Sequence, residues 1–164
     1  MKKEIALKSA YSILRKETPL SFDCGSLCNG KCCEGDKETG MLLFPGEEKL
    51  IDSGMEIIET ESGQLLAVCS GSCNRNKRPL ACRIYPLFPL VEENEGKRSI
   101  KVVYDYRARC PIVDEKIRIR RSFKRAVRRA GEYLLSNDET ADYLVELSDE
   151  FYDFFKIKEK FFVD

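Results

Sequence analysis

Apolar residues recur with a helical period at both ends of the chain. Near the N-terminus they follow an i, i+3, i+4, i+7 pattern that predicts a helix over residues 4–17, which ends before Pro19. A second helical pattern begins at about residue 113, and after a break at residues 136–138 a third continues to residue 155. The apolar positions of the three patterns are Leu7, Ala10, Tyr11 and Leu14; Ile117, Phe123, Val127, Ala130 and Leu134; and Leu144, Leu147, Phe151, Phe154 and Phe155.

The middle of the chain has the pattern of short strands and loops. Residues 41–51 predict a short strand and then a short helix. Residues 55–69 and 87–106 each contain two apolar runs around a polar turn, and each segment predicts a β-hairpin. Residues 21–40 are rich in glycine and cysteine and predict a loop, and residues 70–90, which include three prolines, predict irregular structure.

Composition narrows the chemistry that this chain can perform. The 164 residues include 28 Lys and Arg against 28 Asp and Glu, and this balance argues against a wholly basic nucleic-acid-binding protein. Because the chain has no His, imidazole metal ligands, Ser-His-Asp triads and histidine general bases are excluded. No pair of carboxylates has a spacing that singles it out. We therefore assign no catalytic residue, and the sequence does not decide whether the protein is an enzyme.

The expected compartment is the cytoplasm. Charged residues interrupt the N-terminal apolar stretch, so that it does not have the form of a secretory signal, and no segment approaches the apolar length of a membrane span. In a reducing cytosol, clustered thiols are more often metal ligands or redox groups than structural disulfides. The alternative is a secreted protein, since an even number of cysteines also suits a disulfide framework.

Eight cysteines stand out in this composition. Four of them lie between residues 24 and 33, which is too dense for independent disulfides of good geometry. Metal coordination suits such crowding better, because one centre takes several thiolates at once. The predicted metal ligands are Cys24, Cys28, Cys32, Cys33, Cys69, Cys73, Cys82 and Cys110.

The cysteine spacing bears on the kind of metal. Zinc and iron–sulfur clusters both accept four thiolates, but zinc knuckles usually use two cysteines separated by two residues. Here the pairs 24/28, 28/32 and 69/73 are each separated by three residues. A polynuclear cluster tolerates this wider spacing, because each thiolate binds a different iron. The spacing favours an iron–sulfur cluster, for instance of the 4Fe–4S type, over zinc, and one or two sites could form.

These elements sum to one α+β domain over residues 1–164. Residues 1–20 form the N-terminal helix, and residues 113–164 form the C-terminal helical hairpin. Between them, residues 21–112 form a cysteine-rich region with small antiparallel hairpins that we expect the metal to organise. Lys31, Arg75, Lys77, Arg78 and Arg83 lie beside the cysteines in sequence and could offset the negative charge of a thiolate centre.

Two sequence segments resemble a known family. CGSLCNGKCC, followed by RPLACRIYPLFP, is similar to the zinc- or iron-chelating cysteine-cluster proteins named for a CxxCxxCC signature. The resemblance covers roughly residues 24–111 and implies metal chelation. The spacing of the first cluster departs from that signature. Similarity to the cysteine cluster of flagellin lysine-N-methylases suggests a second function, a component of an enzyme system for methyl transfer or oxidoreduction.

A third function rests on a basic segment. Residues 116–129 contain eight Lys and Arg and no acid, which suits contact with the phosphates of RNA or DNA. Residues 138–153 contain seven Asp and Glu and no base. We expect the two segments to pair across the helical hairpin, and the sequence favours this pairing over a nucleic-acid-binding adaptor. A protein partner stays open, and no membrane association is expected.

Overall fold

The computed structural model of the chain describes residues 1–33, 40–51, 54–69, 71, 75–107 and 110–161. Within these residues the fold is α+β, as predicted. The helices are α1 (Lys3–Leu14), α2 (Gly25–Cys28), α3 (Leu80–Ile84), α4 (Pro111–Asp114), α5 (Arg121–Leu135) and α6 (Asp138–Phe161). The strands are β1 (Gly40–Leu42), β2 (Glu56–Glu59), β3 (Leu65–Val68), β4 (Leu87–Asn94) and β5 (Lys97–Tyr104).

The terminal helices follow the predicted apolar patterns, with one difference. α1 buries Leu7, Ala10 and Leu14 on one face, and this confirms the N-terminal helix. The helix predicted from residue 113 is instead divided into α4 and α5, and Ile117 lies between them. A left-handed backbone at Lys116, with φ of 54°, ends the α-helical path there. Of the helices in the described ranges, none has both the length and the apolar character to cross a membrane.

Both predicted hairpins are present. β2 and β3 pair antiparallel, and β1 pairs with the other edge of β3, so that the sheet has the order β1-β3-β2. β4 and β5 form a separate hairpin that turns at residues 95–96. Both turn residues have a positive φ, which matches the twist of a tight hairpin. The strands of this hairpin are longer than predicted, because the polar residues at 92–94 and 97–99 continue the ladder instead of forming a loop.

The main core lies where the terminal helices cover the β4–β5 hairpin. α1 packs chiefly against α5, and α5 packs on both strands of the hairpin. Gly131 permits this close packing, since a Cβ there would lie 2.9 Å from the Cβ of Pro89. α6 adds a second contact with β4, where the rings of Phe88 and Phe151 stack at 5.1 Å. The terminal helices and the central hairpin therefore share one hydrophobic core.

Candidate metal centre

A cavity of about 250 Å³ lies between the end of α1, the α2 segment, α3 and the start of α4. These elements are far apart in sequence, so only the tertiary fold brings their side chains around one space. Most of the predicted ligands are part of its wall. The cysteines that line the cavity are Cys24, Cys28, Cys32, Cys82 and Cys110.

The first three of these cysteines are positioned by a short helix and a tight reversal. The side chain of Asp23 accepts a hydrogen bond of 3.0 Å from the backbone nitrogen of Gly25, at the start of α2. Cys24 and Cys28 are four residues apart across this helical turn, a spacing that places side chains on one face. Asn29 and Gly30 then adopt positive φ values of 52° and 71°, which turn the chain back into the 3-10 turn Lys31–Cys33.

Cys82 is positioned by α3, and a buried carboxylate holds the start of that helix. Glu47 is fully buried, and its Oε1 accepts hydrogen bonds of 2.6 Å from the backbone nitrogen of Leu80 and from the hydroxyl of Tyr11. Its Oε2 accepts a third bond, of 2.8 Å, from the backbone nitrogen of Phe44. Glu47 therefore joins α1, the segment after β1 and the N-terminus of α3.

Arg83 fixes the other side of α3. Its guanidinium donates hydrogen bonds to the backbone carbonyls of Arg78, at 3.0 Å, and Asn76, at 2.6 Å. The same guanidinium lies over the ring of Tyr11, 4.7 Å from its centre. Burial lowers the pKa of Arg83 from its ordinary value, and the nearby Tyr11 and Glu47 oppose that shift. The Arg-Pro-x-x-Cys-Arg element thus ties the Cys82 helix to its own preceding loop and to α1.

Cys110 lines the cavity where α4 begins. Its carbonyl accepts bonds of 2.9 Å from the backbone nitrogens of Val113 and Asp114, which anchors the first turn of that helix. Burial raises the pKa of the Tyr85 hydroxyl, and the sulfur of Cys110 is the next contributor, followed by Asp105 and Cys32. The phenol of Tyr85 therefore lies near two of the cavity cysteines.

The cavity is electrically suited to negative charge. Arg15, Lys16, Arg78 and Arg83 line it, against two acids, Glu17 and Asp23. Arg78 and Arg83 are two of the five basic residues that lie beside the cysteines in sequence. Arg15 and Lys16, which follow α1, are not among those five. The Cys32 side chain is exposed as a whole, but the partial burial of its sulfur and the neighbouring Cys33 raise the pKa of its thiol to about 12. Deprotonation of this thiol in the bare cavity is therefore costly, and a bound cation would have to supply the compensation.

Two of the remaining predicted ligands, Cys33 and Cys69, lie outside this wall. Cys33 adjoins Cys32 but does not line the cavity, and Cys69 follows β3. A Cβ on Gly71 would lie 4.0 Å from the carbonyl oxygen of Cys33, so the segment after Cys69 passes beside the first cluster. Cys73 lies outside the described residues. Among the described cysteines, none forms a disulfide.

The donor set fits a thiolate-ligated metal, although the side chains are not gathered around one point. In the described part of the chain, no three His, Cys, Asp or Glu side chains are arranged to hold a single metal ion. Five cysteines nevertheless line the same cavity, together with four Lys and Arg residues. That chemistry is the one that zinc and iron–sulfur clusters select. Binding would require the cysteine side chains to move toward a shared centre.

Sequence reasoning missed Glu47 and Tyr11, which hold the scaffold of the site. Tyr11 is recognisable from the sequence only as part of the apolar stripe of α1. Glu47 is one of two adjacent glutamates after Pro45 and Gly46, and no periodicity distinguishes it from Glu48. Its role depends on the backbone nitrogen of a residue 33 positions away, which the local pattern cannot reveal.

Comparison with known proteins found no match: no family model, no curated protein and no solved structure matches the chain. The resemblance to cysteine-cluster proteins therefore stays a prediction carried by the residues themselves. The functional argument has to rest on the cavity and its chemistry.

Proposed function

We propose that this protein binds a metal centre through cysteines of the cavity, and that this centre is an iron–sulfur cluster. The observation that carries the proposal is the convergence of Cys24, Cys28, Cys32, Cys82 and Cys110 on one cavity from segments up to 86 positions apart. Thiols gain little from meeting in this way, whereas a metal centre needs several of them together. The remaining three predicted cysteines are then spare or serve a second site.

The arrangement supports a polynuclear cluster more than zinc. A zinc ion draws four sulfurs to about 2.3 Å from a single point. Here the cysteines of the first cluster are separated by three residues at 24/28 and 28/32, and five cysteines line a space of about 250 Å³. A cluster contributes iron and sulfide of its own and binds each thiolate at a different corner. Zinc is the second candidate, because metal binding can draw a loose cysteine site together.

The surroundings support a redox role beside a structural one. Cys32 is exposed and Cys24 and Cys28 are half-buried, so the centre would lie close to solvent. Hydrogen bonds, nearby charge and solvent exposure set the potential of such clusters, and Arg78 and Arg83 supply positive charge at the wall. Cations near a cluster stabilise its more negative, reduced form. The metal would also hold α2, α3 and α4 together, and in this way stabilise the fold.

Anaerobic purification tests the proposal. We expect a brown protein with a broad visible absorption band, and iron and acid-labile sulfide in equal amounts. A colourless protein that contains stoichiometric zinc would show that the bound metal is zinc, the second candidate, and not an iron–sulfur cluster. A chain that contains neither metal, and binds neither after reconstitution with iron and sulfide or with zinc, would contradict the proposed function.

A further inference from the structure

The basic segment forms one exposed surface. Every one of its eight cationic side chains is exposed. Within α5 the cations recur at intervals of three and four residues, on the side opposite the buried Phe123, Val127 and Ala130. We call this set the basic face, and it consists of Lys116, Arg118, Arg120, Arg121, Lys124, Arg125, Arg128 and Arg129.

The predicted pairing with the acidic segment does not form. Among the described ion pairs, none involves the basic face. The acids of residues 138–153 that form ion pairs do so elsewhere: Glu139 with Lys3 at 2.6 Å, Asp142 with Arg98 at 3.4 Å and Asp153 with Lys156 at 3.5 Å. α5 directs its apolar side toward α1, the β4–β5 hairpin and α6, so its cations point away from α6. The basic face thus lacks a carboxylate partner in the described part of the chain.

The basic face is also unfavourable for its own helix. The first turn of α5 contains no acid, and its N-cap residue Arg120 makes no capping hydrogen bond with its side chain. Cations at the positive end of a helix dipole repel it, and like charges four residues apart repel each other. An external polyanion would relieve both repulsions.

The chemistry of the face distinguishes between polyanions. Insertion into a membrane needs apolar side chains beside the cations, but the apolar stripe of α5 is already buried in the core. Among the described residues, none of the large exposed hydrophobic side chains belongs to residues 116–129. Interfaces between proteins have an apolar, aromatic-rich centre, which the basic face does not offer, and exposed ion pairs add little affinity. Nucleic-acid phosphates, in contrast, bind through such charges and gain from counterion release.

We propose that the basic face binds the phosphate backbone of nucleic acid without sequence preference. Residues 120–129 rise about 14 Å along the helix, and a duplex carries about one charge per 1.7 Å, so that about eight phosphates lie within the same length. Residues 120–129 contain six cations, against about eight phosphates shared between the two strands, so the two linear charge densities are of the same order. This inference goes beyond the proposed metal centre and does not depend on it, because the basic face and the cavity share no residue.

Titration of labelled nucleic acid with the full-length protein tests the inference. Single-stranded RNA, single-stranded DNA and duplex DNA of equal length serve as probes. If six cations contact phosphates, the affinity should fall about 1,000-fold between about 50 mM and about 200 mM salt. The variant R120E/R121E/R125E/R128E should bind more weakly and reduce the logarithmic salt slope by about four. Slopes that correspond to a similar number of phosphate contacts on all the probes would support recognition of the backbone.

A matched control separates the position of the charge from its amount. The variant K2E/K8E/K49E/K97E changes the net charge equally at four other exposed lysines and should keep the wild-type slope. Circular dichroism verifies that both variants are folded. An equal loss of nucleic-acid binding in the two variants would overturn the inference. Absence of binding by the wild-type protein at about 50 mM salt would overturn it as well. Salt-sensitive self-association without nucleic-acid binding would instead identify a second copy of the chain as the partner.

Discussion

The backbone nitrogen of Leu80 donates a hydrogen bond of 2.6 Å to Oε1 of Glu47, a side chain 33 positions earlier in the sequence. This contact joins a buried carboxylate to the first turn of the helix that contains Cys82. Tyr11 and Phe44 donate to the same carboxylate, so Glu47 accepts three hydrogen bonds. A side chain that donates hydrogen bonds cannot take its place. Glu47 thus fixes the scaffold of the cavity without lining it.

Replacement of Glu47 by Gln should destabilise the protein. The NH2 of the introduced amide would face the hydrogen-bond donors of the site and leave buried groups unsatisfied. We therefore expect a loss of about 2–4 kcal/mol in the free energy of unfolding at pH 7. Tyr11→Phe removes one of the three bonds and should cost about 1 kcal/mol. Urea unfolding measures both values. The exposed control Glu56→Gln should stay within about 0.5 kcal/mol of wild type, and an equally small effect at Glu47 would contradict this interpretation.

Glu47 should also make stability depend on pH. Burial raises the pKa of this carboxyl above its ordinary value of 4.5, and the hydrogen bonds from Tyr11, Leu80 and Phe44 offset only part of the shift. The folded state therefore holds the proton more tightly than the unfolded state. The stability that Glu47 gains from this tighter proton binding is fully present below about pH 4.5. It is lost as the pH rises through the raised pKa of the folded state. The advantage of wild type over Glu47→Gln should shrink over that range, and an advantage that grows with pH would contradict the raised pKa.

Substitution of a cavity cysteine should release the metal. We expect Cys24→Ser, Cys28→Ser and Cys82→Ser to lose bound metal and the stability that it provides. A site saturated at a hundred times its Kd contributes about 2.7 kcal/mol, which elemental analysis and urea unfolding would together detect. Cys69→Ser is the matched control for the cavity site: this residue does not line the cavity, so its variant should keep the cavity metal whether or not a second site is lost. Chelator treatment should bring wild type and the control down to the stability of the three variants. Full metal content in those three would be incompatible with the assigned site.

Gly131 should not tolerate a side chain, even though it is in the middle of a helix. Alanine would favour the helix by about 1 kcal/mol. Its Cβ, however, would lie 2.9 Å from Pro89 and 3.0 Å from Ile100, both in the hairpin under α5. Overpacking of this kind costs about 1–3 kcal/mol. We expect Gly131→Ala to lower the free energy of unfolding, whereas Glu132→Ala, at the exposed neighbouring position, should leave it nearly unchanged. A stabilised Gly131→Ala would show that α5 can move away from the hairpin.

Local pattern was sufficient for most of the secondary structure. The stripe of Leu7, Ala10 and Leu14 predicts α1, and alternation around short polar turns predicts both hairpins, because helices and strands bury one side with a fixed period. The pattern was insufficient between α4 and α5, where residues 115–120, with a left-handed backbone at Lys116, interrupt the helix. A change of backbone direction at one residue leaves no trace in hydrophobic periodicity.

By itself, the sequence determined the α+β composition, the exclusion of histidine chemistry and the set of eight sulfur donors, since these follow from residue type and spacing alone. Only the tertiary structure decided which five of those cysteines line one cavity and that Glu47 holds the helix of Cys82. It also decided that the basic face of α5 lies apart from the acids of α6. Each of these relationships joins positions distant along the chain, and their distance in space depends on how helices and hairpins pack, which local residue preferences do not encode.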